Sequence, residues 1–317
     1  MRSLKASFAL VLSLCVASGC GSGSLDAQTK IAASALFADF ETVSKANVSR
    51  LPFHLMGGQE PYAEIMLFRP FSYLFSALDS LGNSPAQELI GRTDVVIGGA
   101  GHFHAPTGLG AVSSRNCYIL LVKPGFDLAR YTARPATENW RGKPLWKWTA
   151  ALGEYGEGDP RSSTIFALQH GSYVLISNDA ERIVRIAEHV VAGEDGTKSA
   201  TIPAEWPELS RSDYWVYRRY RFGDVTDPMA AGVDGVRKDA VALMFITEQD
   251  GKSAILRLAS ASPVAKQPEV LIEQQPFPHL SPVTPDSWEA SLATTGGEQN
   301  WTTLFFVMGL MGFAVYL

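Results

Sequence analysis

The stretch 164-TIFALQHGSYVLISNDAERIVRIAEHVVAG-193 decides the fold class. Thr164 to Leu168 and Tyr173 to Ile176 are short runs rich in β-branched and aromatic residues. His170-Gly171 breaks them in the manner of a hairpin turn. The pattern then changes from strand to helix period. Asn178 stands where a helix N-cap is wanted, and Glu181 three residues later completes a capping box. Ile183, Ile186, Ala187, Val190 and Val191 fall on one helical face, and Gly193 is placed as a stop. A hairpin followed directly by an amphipathic helix predicts packed sheet and helix, not a bundle or a sandwich.

Working outward, strands dominate. Val95 to Gly98, Cys117 to Val122, the alternating Trp146-Lys147-Trp148, Tyr214 to Phe222 and Trp288 to Ala293 all read as strands. Val241 to Thr247 and Ala254 to Leu258 flank Asp250-Gly251, a strong hairpin signal. Two further helices are predicted. One covers 31–45, from Leu36, Phe37, Phe40 and Val43. The other covers 69–81, from Phe71, Leu74, Phe75, Leu78 and Leu81 with Pro70 at its start. The fold class expected is α+β, mostly antiparallel meanders with packed helices. A polar stretch at 193–212 divides the chain into a first subdomain, 31–195, and a second, 196–317. Each would hold a meander and a late helix; related halves are one reading, which residue identities do not demonstrate. Residues 263–286 carry six prolines and read as irregular.

The N-terminus is a leader. Residues 1–20 read MRSLKASFALVLSLCVASGC: Arg2 and Lys5, an apolar run Ala6 to Val16, and small residues up to Cys20. The end Ala17-Ser18-Gly19-Cys20 resembles a bacterial lipobox, which implies cleavage after residue 19 and lipid on Cys20. An ordinary secretory cleavage site also fits Ala17-Ser18-Gly19. Two or three acyl chains anchor firmly, because each buried methylene adds ~0.8 kcal/mol. Residues 20–30 are expected to form a flexible tether. Gly21 after the cysteine points, by the same resemblance, to an outer-membrane protein facing the periplasm. With Cys15 removed and Cys20 lipidated, Cys117 is left without a disulfide partner.

The apolar end 301-WTTLFFVMGLMGFAVYL-317 has 17 uncharged residues. A helix of that length reaches about 25 Å, short of a ~30 Å hydrocarbon core. A buried helix and final strand is the preferred expectation, membrane insertion the rival. A removable C-terminal lipid-anchor signal fits less well, because its polar spacer is short.

Composition excludes some functions. The chain is 46% hydrophobic and 19% charged, with 27 basic and 32 acidic residues well mixed, for a net charge of −5. It has no basic stripe for nucleic acid. No Gly-x-Ser-x-Gly elbow, His-Glu-x-x-His or Cys-x-x-Cys occurs, and no cofactor is expected. Gly98-Gly99-Ala100-Gly101 lacks the spacing of a dinucleotide loop and reads as tight turning between strands. Gly251-Lys252-Ser253 reads as a hairpin turn.

Three groups are candidate sites. Trp215, Tyr217, Arg219 and Arg221 share one strand face and form the candidate ligand surface, suited to stacking on sugars or gripping anions. His102 and His104, read as loop histidines, offer two ligands for a metal-dependent hydrolase, with Glu154, Glu157 and Asp159 as candidate carboxylates. Cys117 in an apolar strand reads as an inert hydrophobe. His189 is expected in solvent beside Arg182 and Arg185.

The stretches GLGAVSSRNCYILLV (108–122), STIFALQHGSYVLISND (163–179), YWVYRRYRF (214–222) and MGFAVYL (311–317) resemble an uncharacterised family of exported bacterial lipoproteins of about this length. The resemblance implies export, lipidation, a soluble α+β body and a folded C-terminal end. It carries over no site residue and no activity. The expectation is a lipid-anchored envelope protein, binding or structural and not catalytic. The membrane is its first partner, and cell-wall glycan or an envelope protein is the second. Cys20→Ser is expected to abolish incorporation of labelled fatty acid and release the chain from the membrane fraction. Unchanged membrane retention would remove the anchor.

Overall fold

The computed structural model describes residues 24–40, 42–48, 74, 89, 91–104, 112–132, 138–152, 161–219, 240–247, 253–260, 271–272, 275–276, 281–284 and 287–293. Residues 1–23 with Cys20, the carboxylates at 154–159 and the end 301–317 lie outside them. So does the helix expected at 69–81, apart from Leu74, which is helical and buried. Among the described residues, no helix is long and apolar enough to cross a membrane.

Fourteen strands are described: β1 (Thr42–Asn47), β2 (Thr93–His104), β3 (Val112–Val122), β4 (Glu138–Trp140), β5 (Lys143–Leu152), β6 (Arg161–His170), β7 (Tyr173–Ser177), β8 (Tyr214–Arg219), β9 (Ala240–Thr247), β10 (Ser253–Ser260), β11 (Leu271–Ile272), β12 (Gln275–Pro276), β13 (Ser281–Thr284) and β14 (Ser287–Ala293). The helices are α1 (Leu25–Phe37), α2 (Ala180–Glu194) and the single-turn α3 (Trp206–Leu209). Twelve strands form one sheet in the order β4-β5-β6-β7-β3-β2-β1-β8-β9-β10-β14-β13, and β11 pairs with β12 apart from it. Every neighbouring pair is antiparallel. The α+β, antiparallel class therefore holds. The division at 195/196 does not separate two sheets, because β8 hydrogen-bonds to β1.

Among the described side chains, those of β1 to β8 are covered on both faces of the sheet. On one face Val43, Ile97, Cys117, Ile119, Leu175 and Trp215 pack against Ala32 and Leu36 of α1, Ile183 and Ile186 of α2, and Trp206 and Leu209 of α3. On the other, Val96, Leu120, Trp146, Ile165, Val174 and Tyr214 pack with Leu74, Leu89 and Leu128. Two-sided burial explains why strands such as Tyr173–Ser177 are apolar at successive positions instead of alternating.

Several local expectations shift. The helix expected at 31–45 ends at Phe37 and gives way to β1, while its start moves back to Leu25. Ser24 caps it, its hydroxyl accepting from the Ala27 N–H at 3.3 Å. The tether expected over 20–30 is thus helical from Leu25. The cap of α2 is Asp179, whose carboxylate accepts from the Arg182 N–H at 3.0 Å. Asn178 instead holds the sheet, its Oδ1 accepting from the Asn116 N–H at 2.9 Å. Helix α2 runs on through Gly193, where the missing side chain has another use. A Cβ there would come within 2.9 Å of Ile31 on α1.

The glycines 98–101 are not turns. They lie inside β2. A Cβ on Gly99 would sit 2.3 Å from the ring of Phe40. The Arg182 guanidinium covers that ring, 4.7 Å from its centroid. Asp39 then ties Arg185 of α2 at 3.0 Å, with Arg182 3.9 Å away. Arg182, expected in solvent, is in fact largely buried. Glycine, aromatic ring and guanidinium form one stack from sheet to helix.

Two substitutions test this layer. Gly99→Ala is expected to cost about 1–3 kcal/mol by overpacking, and Asp179→Ala about 1 kcal/mol by loss of the cap. Urea denaturation measures both; a neutral Gly99→Ala would remove the close approach of Phe40.

Candidate functional site

Strand β1 places one charged residue inside the protein. Lys45 is opposite Ile97 on β2 and Trp215 on β8. Directly opposed residues share a face, so Lys45 lies on the helix-covered side, and it is only 3% exposed. Its ammonium donates to the carbonyl oxygens of Ser212 at 2.8 Å and Ser210 at 3.4 Å. Both carbonyls follow α3, at the end of a helix where cations are favoured. Burial lowers the Lys45 pKa from 10.5 to about 8, with the Asp213 and Asp26 carboxylates acting in the opposite direction.

Ser210, which accepts from this lysine, also lines a cleft of about 760 Å³. Asp26 and Lys30 of α1, Asn47 of β1, Trp206 of α3, and Arg211 and Asp213 after α3 contribute to its lining. Asn47 fixes one wall: its Nδ2 donates to Asp213 Oδ1 at 2.8 Å and its backbone N–H to the Asp213 carbonyl at 2.8 Å. The cleft therefore presents two carboxylates, one ammonium and one guanidinium around an indole. Such a lining recognises a small polar molecule carrying charges of both signs, or one with many hydroxyl groups.

The expected sites are distributed otherwise. Trp215 is 0% exposed and Tyr217 3%, so neither offers a surface. Trp215 stacks on Phe37 at 6.0 Å and meets Trp206 edge-on at 6.3 Å, while Tyr217 meets Phe37 edge-on at 5.4 Å. The alternation was sound, but α1 and α3 cover the face it defines. Arg219 ends β8 opposite Ala242, and Arg221 lies outside the described residues. His102 and His104 belong to β2, opposite Ser114 and Val112, and not to a loop. Among the described residues, no three His, Cys, Asp or Glu gather as metal ligands.

Cys117 is fully buried and its thiol pKa is pushed up by burial, the setting of an unreactive cysteine. His189 is bonded, its Nε2 2.5 Å from Lys198 Nζ. Burial and the Lys198 charge lower its pKa. Sequence reasoning missed Lys45 because it sits in a segment that read as helix, where one lysine is unremarkable. The signal available was Thr42-Val43, a β-branched pair suited to strand.

No family model and no curated protein matches the chain. Among solved structures, crystal form III of TP0453 aligns with 87% of this chain and 97% of its own, at 10% identity and a TM-score of 0.45. Crystal form I of TP0453 aligns with 87% and 96% at 9% identity and a TM-score of 0.42. Likeness at this level assigns nothing to this chain.

The buried lysine has a pH signature. A lowered folded-state pKa means that the native state holds this proton less tightly than the unfolded chain. The penalty is complete below about pH 8 and fades as pH rises toward 10.5. Its size is about 3 kcal/mol. In parallel urea titrations, wild type should therefore gain about that much on Lys45→Met between pH 7.5 and 10.5. A gap that stays constant with pH would show that burial leaves the Lys45 charge undisturbed.

Proposed function

We propose that the chain is an exported, lipid-anchored protein of the bacterial cell envelope that works by binding, and that its ligand occupies the cleft beside Asp26. The observation that carries this is the early start of α1. Ser24 is the cap, so only four residues separate the Cys20 position from the folded body. Extended, they span at most about 14 Å. A lipid on Cys20 would hold the mouth lined by Asp26 and Lys30 near the headgroup layer, closer than a tether through residue 30 would allow. The outer membrane, facing the periplasm, stays the proposed address because Gly21 follows Cys20.

The ligand class follows from the lining. Asp26 and Asp213 suit a cationic group, Lys30 and Arg211 an anionic one, and a zwitterion satisfies both. A glycan held by Trp215 and Tyr217 loses its platform, since both are buried. A metal-dependent hydrolase at His102 and His104 has no observation in its favour. Related halves also remain part of the proposal. They are supported by the sheet order, in which the meanders β1-β2-β3 and β8-β9-β10 run outward in opposite directions from the β1–β8 pair, each preceded by a helix.

Phosphoethanolamine titrated into the delipidated protein tests the cleft, followed by calorimetry. Saturable binding is expected, weakened at least tenfold by Asp213→Asn or Arg211→Glu. Absence of binding by both phosphoethanolamine and vesicles displaying that headgroup would remove the zwitterion reading.

A further inference from the structure

A second polar cluster lies at the other margin of the helix layer. Lys143 opens β5, His170 closes β6 and Glu194 closes α2. Lys143 Nζ is 2.5 Å from His170 Nδ1, and His170 Nε2 is 2.7 Å from Glu194 Oε2. The Trp140 ring stands edge-on to the imidazole, with centroids 6.0 Å apart and an interplanar angle of 80°, which fixes the ring. Trp140 is itself held, its Nε1–H donating to Glu188 Oε1 at 2.8 Å, and Arg141 closes on the same carboxylate. Opposite His170 on the hairpin, Tyr173 buries a hydroxyl with no partner among the described residues. That leaves one unused donor in this corner.

The order of groups fixes the tautomer. An ammonium only donates, so Nδ1 must carry the lone pair and Nε2–H must donate to Glu194. Nucleophile, base and orienting carboxylate, in hydrogen-bond contact and in that sequence, are the pattern of an activated nucleophile. We propose that Lys143 is an activated amine that accepts acyl groups from activated donors of the thioester class, with His170 as its base and Glu194 as the residue that positions His170. This activity is independent of the cleft.

The step balances without a cofactor. The Lys143 ammonium passes one proton to His170 Nδ1, and Glu194 stabilises the imidazolium formed. The freed amine attacks the acyl carbon, a C–N bond forms and the C–S bond breaks. The leaving thiolate takes the second nitrogen proton and departs as thiol. His170 returns its proton to solvent. The product is an amide on Lys143, a modification that removes its charge.

The molecule contains its own control. Lys198 is equally close to His189, at 2.5 Å, but no carboxylate is bonded to the other His189 nitrogen among the described residues. The full chain is incubated with the small thioester S-acetyl-N-acetylcysteamine at pH 7.5, and site-resolved acetylation is followed by tandem mass spectrometry. Lys143 is expected to react at least tenfold faster than Lys198 and the exposed Lys123. His170→Gln should bring Lys143 down to their rate and leave Lys198 unchanged. In Glu194→Gln the imidazolium loses the carboxylate that orients and stabilises it, so the Lys143 acetylation rate should fall at least fivefold while Lys198 and Lys123 keep theirs. Equal rates at Lys143 and Lys123 in the wild type overturn the proposal. So does an unchanged Lys143 rate in Glu194→Gln, which decides the matter if His170→Gln does not fold.

Discussion

The pairing of β1 with β8 holds the described sheet together. Five residue pairs, from Thr42 with Arg218 to Ala46 with Tyr214, join seven strands on one side to five on the other. On its second edge β1 pairs with β2 over its whole length. This six-residue strand is therefore fully enclosed, and its side chains must suit an interior on both faces. Val43 and Ala46 do so without cost. Ser44 does so by donating to the Gly98 carbonyl at 3.4 Å. Lys45 does so only by giving its charge to carbonyls beyond α3. The seam of the fold and a buried ammonium are one element.

Two-sided burial also explains what could be read from sequence. The hairpin 161–177, the helix after it, and strands β2 and β3 announce themselves as apolar runs bounded by turn residues. The segment 25–47 deceived because Leu36, Phe37, Phe40 and Val43 all belong to or pack against one core. They reach it from a helix, a connecting turn and a strand in succession. Their spacing resembles a single helix although the backbone changes conformation midway. The displaced cap has a similar origin. Asn178 and Asp179 are both good caps, and the distant Asn116 N–H engages Asn178 while Asp179 takes the cap.

The candidate sites were far less legible. The cleft draws residues from 26–30, 47 and 206–213, and no motif spans those distances. Lys143, His170 and Glu194 lie 27 and 24 residues apart and meet only because β5, β6 and α2 converge. The alternation of Trp215 and Tyr217 was legible, but which side α1 and α3 would cover was not. A strand pattern identifies a face and leaves open whether water or a helix lies on it.

The same geometry accounts for where polar chemistry survives. With apolar residues filling both faces of the sheet from β1 to β8, charged groups find room where the helical cover ends. Asp26 and Lys30 lie in the first turns of α1, Ser210 to Asp213 just after α3, and Glu194 at the last residue of α2. At those termini the unpaired N–H and carbonyl groups demand polar partners in any case. Asp179 and Ser24 meet that demand as caps, and Lys45 meets it from beneath by bonding the carbonyls after α3. A buried ammonium in the central strand and the polar cleft thus meet at Ser210. The carbonyls of α3 itself are met by amides and hydroxyls of residues 210–212, so it is the turn beyond the helix, at Ser210 and Ser212, that takes its donor from the strand below.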